Sequence, residues 1–176
     1  MISIFSSQWK RWVKVSRMTK IICFHNPEEE NGYLSNWYLA QFKADGQSFS
    51  SLEQYMMYEK AITFKDNFIA EKIMKSEDAA EMKALGRSVQ NYSEIFWNGI
   101  RQIIVFNGLL AKFEQNPELK TALVQTSDAI LAECAVKDRT WGIGISMNDE
   151  NRFNIEKWKG MNLLGYTLME VRKTIK

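Results

Sequence analysis

The sequence predicts a mainly α-helical fold: a single compact multihelical domain with a few short N-terminal β-strands. Its 176 residues are 45% apolar and 25% charged, a composition that is ordinary for a globular protein with one core. Strand-like patterns are confined to residues 21–50, and apolar residues recur at helical spacing over most of the later chain. Because no repeat, low-complexity tract or long linker divides the sequence, we expect one domain.

The strands are predicted first along the chain. Residues 21–25 have the pattern of a short strand, and the acidic loop of residues 26–32 follows it. Residues 37–43 and 47–50 flank Asp45-Gly46, a pair typical of a tight hairpin turn. We therefore expect a short strand and a hairpin before the first helix.

Helical spacing predicts the rest of the fold. Ser50 or Ser51 can cap the first helix, and Gly86 can end the third by letting the chain turn. Asn116-Pro117 ends the longest helix and starts the next. The predicted helices cover residues 52–64, 67–74, 77–84, 94–115, 118–125, 127–134 and 161–174.

Residues 1–20 differ in composition from the remaining chain. They contain five basic residues and no acidic ones, and the segment also includes Trp9 and Trp12. The segment lacks the central apolar run and the cleavage site of a signal peptide. Because Met18 lies just before the first strand pattern, it can be an internal start. We predict a weakly ordered basic extension over residues 1–20 and a catalytic domain over residues 21–176.

Charge, cysteine and histidine content exclude several classes of function. The net charge of +2 leaves −3 for residues 21–176, so general binding to a nucleic-acid backbone is not expected. The only two cysteines, Cys23 and Cys134, are far apart in sequence, which predicts a reduced, cytoplasmic protein. A single histidine, His25, excludes a multi-histidine metal site, so we predict neither metal nor cofactor. No apolar run is long enough to cross a membrane.

Two charged residues within an apolar helix pattern are the main candidates for catalysis. Glu53 and Lys60 are seven positions apart, about 10 Å along a helix, so their side chains point the same way. Met56, Met57 and Phe64 lie beside them, which predicts a buried helix. Buried charges are costly unless they are paired or used. The pattern also fits a structural ion pair, or Lys60 extending to the surface along its stem.

The segment at residues 34–38 is a candidate for substrate binding. Asn36 can bind a sugar hydroxyl or a base edge, and Trp37 can stack on a flat ring. The same residues also fit a turn in which the asparagine bonds to its own backbone and the aromatic rings fill the core.

Two further predicted binding elements contain arginine. Arg87 follows a helix end, where it can bind a phosphate, although a surface arginine is the common alternative. Trp97 and Arg101 are one helical turn apart and share a face. They can form a stacking wall with an anion clamp, or a cation–π pair inside the fold.

The loop at residues 133–144 combines a carboxylate, basic neighbours, a tryptophan and two glycines. Gly142 and Gly144 do not make a dinucleotide-binding fingerprint, because the third glycine and a parallel βαβ context are missing. A carboxylate on a glycine-containing loop suits acid–base chemistry. We therefore predict Asp138 as a catalytic residue, with Trp141 and Gly142 beside the substrate.

The order of these motifs resembles the NADAR family of YbiA-like N-glycosidases, over about residues 22–173. The motifs are LSNWY (34–38), EQYMMYEKA (53–61), F-x-D (64–66), LGR (85–87), W-x-x-x-R (97–101), KF-x-x-N (112–116), D-x-x-WGIG (138–144) and WKGMNLLGYTLMEVR (158–172). One departure is Ala135-Val136, where family members often have a small residue and a proline. The carboxylate and the WGIG segment after it are intact.

The resemblance implies a compact, mainly helical enzyme that hydrolyses the N-glycosidic bond between a phosphorylated ribose and a base. Similar proteins act on ribosylaminopyrimidine phosphates, intermediates of riboflavin synthesis, and others remove ADP-ribose from guanine in nucleic acid. The implied partner is a small ribosyl nucleotide or an ADP-ribosylated nucleic acid. A non-catalytic ADP-ribose or nucleotide-binding module is the alternative from a different class, and a structural partner protein using the basic tail is a third.

The residue types suit this chemistry. Breaking a ribosyl C–N bond builds positive charge on the sugar, and the departing base needs a proton. We expect Glu53 and Asp138 to handle protons and water. Lys60 in an apolar surround would be partly neutral, and can form an imine with the opened sugar or act electrostatically. The resemblance gives Trp97 as a base-stacking ring.

Overall fold

The structure, a computed structural model, describes residues 20–176, so the predicted extension lies outside the described residues except for Lys20. Six helices dominate this described part, and the predicted mainly helical fold is confirmed. The helices are α1 (Leu52–Thr63), α2 (Asn67–Lys75), α3 (Ala79–Arg87), α4 (Glu94–Gln115), α5 (Pro117–Gln125) and α6 (Leu163–Thr174).

Four short strands form two separate pairs within residues 20–176. They are β1 (Ile21–Phe24), β2 (Leu39–Ala44), β3 (Gln47–Ser51) and β4 (Ile130–Glu133). The predicted hairpin is confirmed: β2 and β3 pair antiparallel, and Asp45 and Gly46 have positive φ values of 49° and 80°. These values suit a two-residue turn that matches the strand twist. β1 pairs with β4 in parallel, with Phe24 opposite Glu133.

The prediction of a helix over residues 127–134 is wrong. The chain turns at Ser127, whose φ is 57°, and then forms strand β4. Three of the four residues of β4 are buried, and a short apolar run of this kind cannot be assigned to helix or strand by periodicity. The loop after β4 therefore follows a parallel strand pair, which the sequence did not reveal. The carboxyl ends of β1 and β4 meet there and form one wall of the site.

Helix α1 is the central element of the fold. It packs against α2, α3, α4 and β3, and seven of its residues are buried. Its predicted N-cap is confirmed at Ser51, whose hydroxyl oxygen accepts a hydrogen bond from the Gln54 backbone N–H at 3.2 Å. Ser51 also ends β3, so the hairpin leads directly into α1 and fixes the position of Glu53 two residues later.

Helix α3 continues through Gly86 to Arg87, beyond the predicted end of the helix. Gly86 is buried, and a Cβ at this position would overlap the sulfur of Met57 on α1. The glycine therefore permits close packing of the two helices and does not make the predicted turn. Its carbonyl oxygen accepts a hydrogen bond from Lys60 Nζ at 2.7 Å.

Candidate functional site

A cavity of about 240 Å³ lies where α1, α3, the β1–β4 pair and two loops meet. Most of its titratable side chains come from elements that are distant in sequence. Its walls carry the carboxyl groups of Glu53, Glu133 and Asp138, the cations of Lys60, Lys83 and Arg87, the imidazole of His25, and the indoles of Trp37 and Trp141. Carboxyl groups, cations and aromatic rings therefore surround one small space.

Glu53 has the most unusual environment in this cavity. Its side chain is at the start of α1 and the residue is 1% exposed. The oxygen Oε1 is buried and has no hydrogen-bond partner among the described residues. Burial raises the pKa of Glu53 to about 7, the nearby Asp138 charge adds to the shift, and Lys83, Trp37 and Arg87 oppose it. A carboxyl group with this pKa can give or take a proton near neutral pH.

Asp138 is held by the loop that carries it. Its Oδ1 accepts hydrogen bonds from the backbone N–H groups of Thr140 at 3.1 Å and Trp141 at 2.9 Å. Its Oδ2 pairs with Lys83 Nζ of α3 at 3.4 Å. These three contacts therefore hold the Asp138 carboxylate in one orientation at the cavity.

Lys60 of α1 and Arg87 of α3 bring an amine and a guanidinium to the cavity. Lys60 Nζ, besides donating to the Gly86 carbonyl, lies 4.2 Å from the centroid of the Tyr92 ring. Burial lowers the pKa of Lys60, and the charge of Arg87 lowers it further. Arg87 itself is exposed at the end of α3 and lines the cavity. The predicted pair of Glu53 and Lys60 thus faces a single cavity.

His25 and Glu133 form an ion pair at the carboxyl ends of β1 and β4. His25 Nδ1 is 2.7 Å from Glu133 Oε1. The hydrogen bond with Glu133 raises the pKa of His25, whereas burial lowers it. Burial raises the pKa of Glu133 in turn, and His25 opposes that shift. The pair therefore brings a titratable imidazole into the cavity.

The loop before the hairpin is fastened to the helices on two sides. The Glu53 backbone N–H donates to the Asn36 carbonyl oxygen at 2.9 Å. Lys112 of α4, which is fully buried, donates from Nζ to the carbonyl oxygens of Tyr33 at 2.9 Å and Ser35 at 3.4 Å. Asn36 is buried at the cavity with its Oδ1 unpartnered among the described residues. The loop therefore holds a buried acceptor, without a partner in residues 20–176, on a residue of the cavity wall.

Three of the predicted site residues do not line the cavity. Trp97 is 5% exposed and packs in the core, because the first turn of α4 directs it inward. The guanidinium of Arg101 lies over the Trp141 ring, 5.8 Å from its centroid, and so contacts a residue of the cavity wall. Gly142 is buried under the loop, where a Cβ would lie 2.8 Å from the Glu133 carbonyl oxygen. The cation–π partner of Arg101 is thus Trp141.

Three titratable residues that line the cavity were not predicted as site residues from sequence: His25, Lys83 and Glu133. Lys83 precedes Arg87 by four positions and therefore shares its helix face, a signal that was available. Glu133 begins the loop that sequence analysis singled out, but its strand was predicted as helix. His25 had no sequence neighbour that indicated a partner 108 positions away.

The described residues lack both a metal-binding cluster and a membrane-spanning helix. Within residues 20–176, no group of three or more His, Cys, Asp or Glu side chains is placed to hold a metal ion. None of the helices in this range is both long and apolar enough to cross a membrane.

Comparison with protein families identifies the kind of domain. The sequence-family model of the NADAR domain matches residues 23–176. The chain belongs to the NADAR family. An NMR structure of the Escherichia coli protein YbiA has the same fold, with a TM-score of 0.74 and 28% identity over 93% of this chain and 89% of that one. The family resemblance predicted from the motifs is therefore confirmed.

Relatives from three sources are similar to this chain in sequence. N-glycosidase R617 of Acanthamoeba polyphaga mimivirus is 35% identical over 88% of this chain and 95% of its own length. N-glycosidase YbiA of Escherichia coli (strain K12) is 30% identical over 88% of each protein. Riboflavin biosynthesis protein VVA0006 of Vibrio vulnificus (strain YJ016) is 32% identical over 93% of this chain, which spans only 41% of that protein.

Proposed function

We propose that this NADAR protein is an enzyme that hydrolyses the N-glycosidic bond between a phosphorylated ribose and a base. The observation that carries the proposal is Glu53, a buried carboxyl group with a free oxygen and a pKa of about 7 at the cavity. A binding module gains nothing from such a group, since burying an unpartnered carboxyl group costs stability. The names of the relatives R617 and YbiA support the same reaction.

The cavity contains a group for each requirement of the reaction. Glu53 exchanges a proton with the attacking water. Asp138 keeps a fixed negative charge that stabilises the positive charge developing on the ribose. Trp37 and Trp141 give the flat base aromatic surfaces, a role that the sequence had also suggested for the more deeply buried Trp97.

A ribosyl nucleotide with one phosphate fits this site better than ADP-ribosylated nucleic acid. The volume of about 240 Å³ is below the range of about 300–1,000 Å³ that is common for ligand pockets. Lys60 and Arg87 can bind one phosphate, whereas the charge of −3 for residues 21–176 does not favour a polynucleotide. A ribosylaminopyrimidine phosphate is therefore the proposed substrate, and the relative named for riboflavin biosynthesis supports it. We place the reaction in the cytoplasm, where buried thiols such as Cys23 and Cys134 stay reduced.

A turnover assay with two substrates tests this function. The purified chain is incubated with a ribosylaminopyrimidine phosphate and, separately, with an oligonucleotide carrying ADP-ribosylated guanine, and the released base is measured. We expect release of ribose phosphate and free base from the first substrate only. Release of ADP-ribose from the oligonucleotide alone would contradict the proposed substrate. Tight binding of both compounds with no turnover would contradict the proposal that the protein is an enzyme.

Lys60 has two possible roles in this site, as a nucleophile or as an electrostatic partner. As a nucleophile, its neutral amine adds to the aldehyde carbon of the opened ribose and loses water to form an imine. Borohydride would reduce that imine to a stable amine on Lys60, which mass spectrometry detects. In either role we expect Lys60→Ala to lower kcat/KM by about 10²-fold or more. The control is Lys65→Ala, a change just beyond the same helix. Full activity of Lys60→Ala would show that Lys60 has no part in the mechanism.

A further inference from the structure

We propose that His25, oriented by Glu133, is the residue that protonates the departing base. This inference rests on the proposed N-glycosidase function and adds to it a catalytic imidazole on the strand side of the cavity. Neither residue was expected at the site from sequence, because the pair is created by the parallel pairing of β1 with β4. The strand register places Phe24 opposite Glu133, so His25 extends from the end of β1 next to that carboxylate.

The geometry of the pair leaves one ring nitrogen for the substrate. Nδ1 of His25 is occupied by Glu133 Oε1 at 2.7 Å, and no described residue bonds to Nε2. The two side chains differ in exposure: 41% for His25 and 7% for Glu133. The buried carboxylate thus holds the imidazole, while the ring remains accessible at a cavity that both residues line. A carboxylate that orients a histidine in this way also fixes which nitrogen carries the exchangeable proton.

The charges around His25 favour its protonated form. Glu133 contributes most and Glu29 adds to the effect, while Lys83 and partial burial oppose it. The net result is a raised pKa, which favours the imidazolium, the form that carries a proton on Nε2 as well as on Nδ1. During bond cleavage this proton moves to the base nitrogen as the C–N electron pair leaves with the base. His25 is then neutral, and a proton from water restores it.

This assignment separates two tasks that would otherwise fall to the same carboxyl groups. Asp138 is held by backbone donors and Lys83 as the negative charge assigned to the ribose. Glu53 on α1 serves the attacking water. The leaving base needs its own proton donor, and His25 is the only histidine in the chain.

One variant and two substrates test the role of His25. His25→Asn removes the titratable ring and keeps an amide donor near the position of Nδ1 for Glu133. A ribosylaminopyrimidine phosphate has a poor leaving group that needs a proton, whereas p-nitrophenyl riboside 5-phosphate releases an anion that needs none. We expect His25→Asn to lower kcat about 10²-fold on the first substrate and to leave the second within about threefold.

The pH dependence of the same reaction separates proton donation from simple support of the structure. In the wild-type protein, kcat/KM on the aminopyrimidine riboside should fall at alkaline pH as His25 loses its proton. Glu133→Gln should move this alkaline limb to lower pH, because the carboxylate no longer stabilises the imidazolium. The exposed neighbour Glu29 is the control: Glu29→Gln should shift the limb less than Glu133→Gln does.

The outcomes separate this inference from the proposed function. Equal losses on both substrates in His25→Asn, or an alkaline limb unchanged in Glu133→Gln, would show a structural role and overturn the assignment of His25 alone. A wild-type protein that hydrolyses neither riboside would overturn the N-glycosidase function together with this inference. A selective loss on the aminopyrimidine riboside supports both.

Discussion

Glu53→Gln is expected to lower kcat for hydrolysis by about 10²- to 10⁴-fold, the range that a positioned proton-transfer group contributes. The amide has nearly the same shape as the carboxyl group but cannot exchange a proton. Since Oε1 of Glu53 has no partner among the described residues, the substitution breaks no hydrogen bond to that oxygen. We therefore expect KM to change much less than kcat, as measured by steady-state release of the base.

Glu59→Gln is the matched control, because Glu59 is on the same helix and half-buried but does not line the cavity. It should keep wild-type turnover. A Glu53→Gln protein that keeps the wild-type kcat would contradict a proton-transfer role, whether or not its KM rises. If the wild-type protein shows no measurable turnover and Glu53→Gln binds the ligand with unchanged affinity, a binding module is favoured instead.

Unfolding measurements at different pH values test the raised pKa of Glu53. The folded-state pKa of Glu53, about 7, is above its ordinary value of 4.5. Its contribution to stability is therefore complete below pH 4.5 and is lost as the pH rises through 7. Glu53→Gln lacks this loss. Over that pH interval, its free energy of unfolding should therefore rise relative to that of the wild type by up to about 3 kcal/mol.

Lys112→Met should have the largest effect on stability and on its pH dependence. Burial lowers the pKa of Lys112 from 10.5 to about 7. Between these pH values the unfolded chain binds the proton and the folded protein does not, so stability rises with pH over this window. The shift corresponds to about 5 kcal/mol across the window, and the Met variant should not show this part of the rise.

The substitution also removes the donor for the loop at the cavity. Without Lys112 Nζ, the carbonyl oxygens of Tyr33 and Ser35 lose their hydrogen bonds, at a cost of about 1–3 kcal/mol for each group left buried. Urea unfolding at pH 7 and pH 10 measures both effects, and Lys75→Met, at an exposed lysine of α2, is the control. If wild type and Lys112→Met keep a constant difference in unfolding free energy between these pH values, the lowered pKa of Lys112 is wrong.

Several elements followed from local chemistry, and these were predicted from the sequence. The Asp45-Gly46 pair specifies the hairpin because its residues accept positive φ, and Ser51 caps α1 through a contact only three residues away. The Glu53–Lys60 spacing was informative for the same reason: two positions about two turns apart on one helix must face one side.

The unsuccessful predictions depended on contacts between distant segments. Strand β4 was predicted as a helix because four residues of a buried strand have no periodicity of their own, and β1 decides their conformation from more than 100 positions away. Gly86 was predicted as a turn because only its close approach to Met57 shows that it belongs to a helix interface.

The sequence by itself determined the family, the helical class and the two central charged residues, because these depend on composition, motif order and spacing within single elements. Only the tertiary structure decided which of the candidates share a cavity. It brings His25 to Glu133, directs Trp97 into the core, and buries Glu53 so that its pKa rises toward neutrality. These outcomes depend on desolvation and on long-range strand and helix packing, which no local pattern encodes.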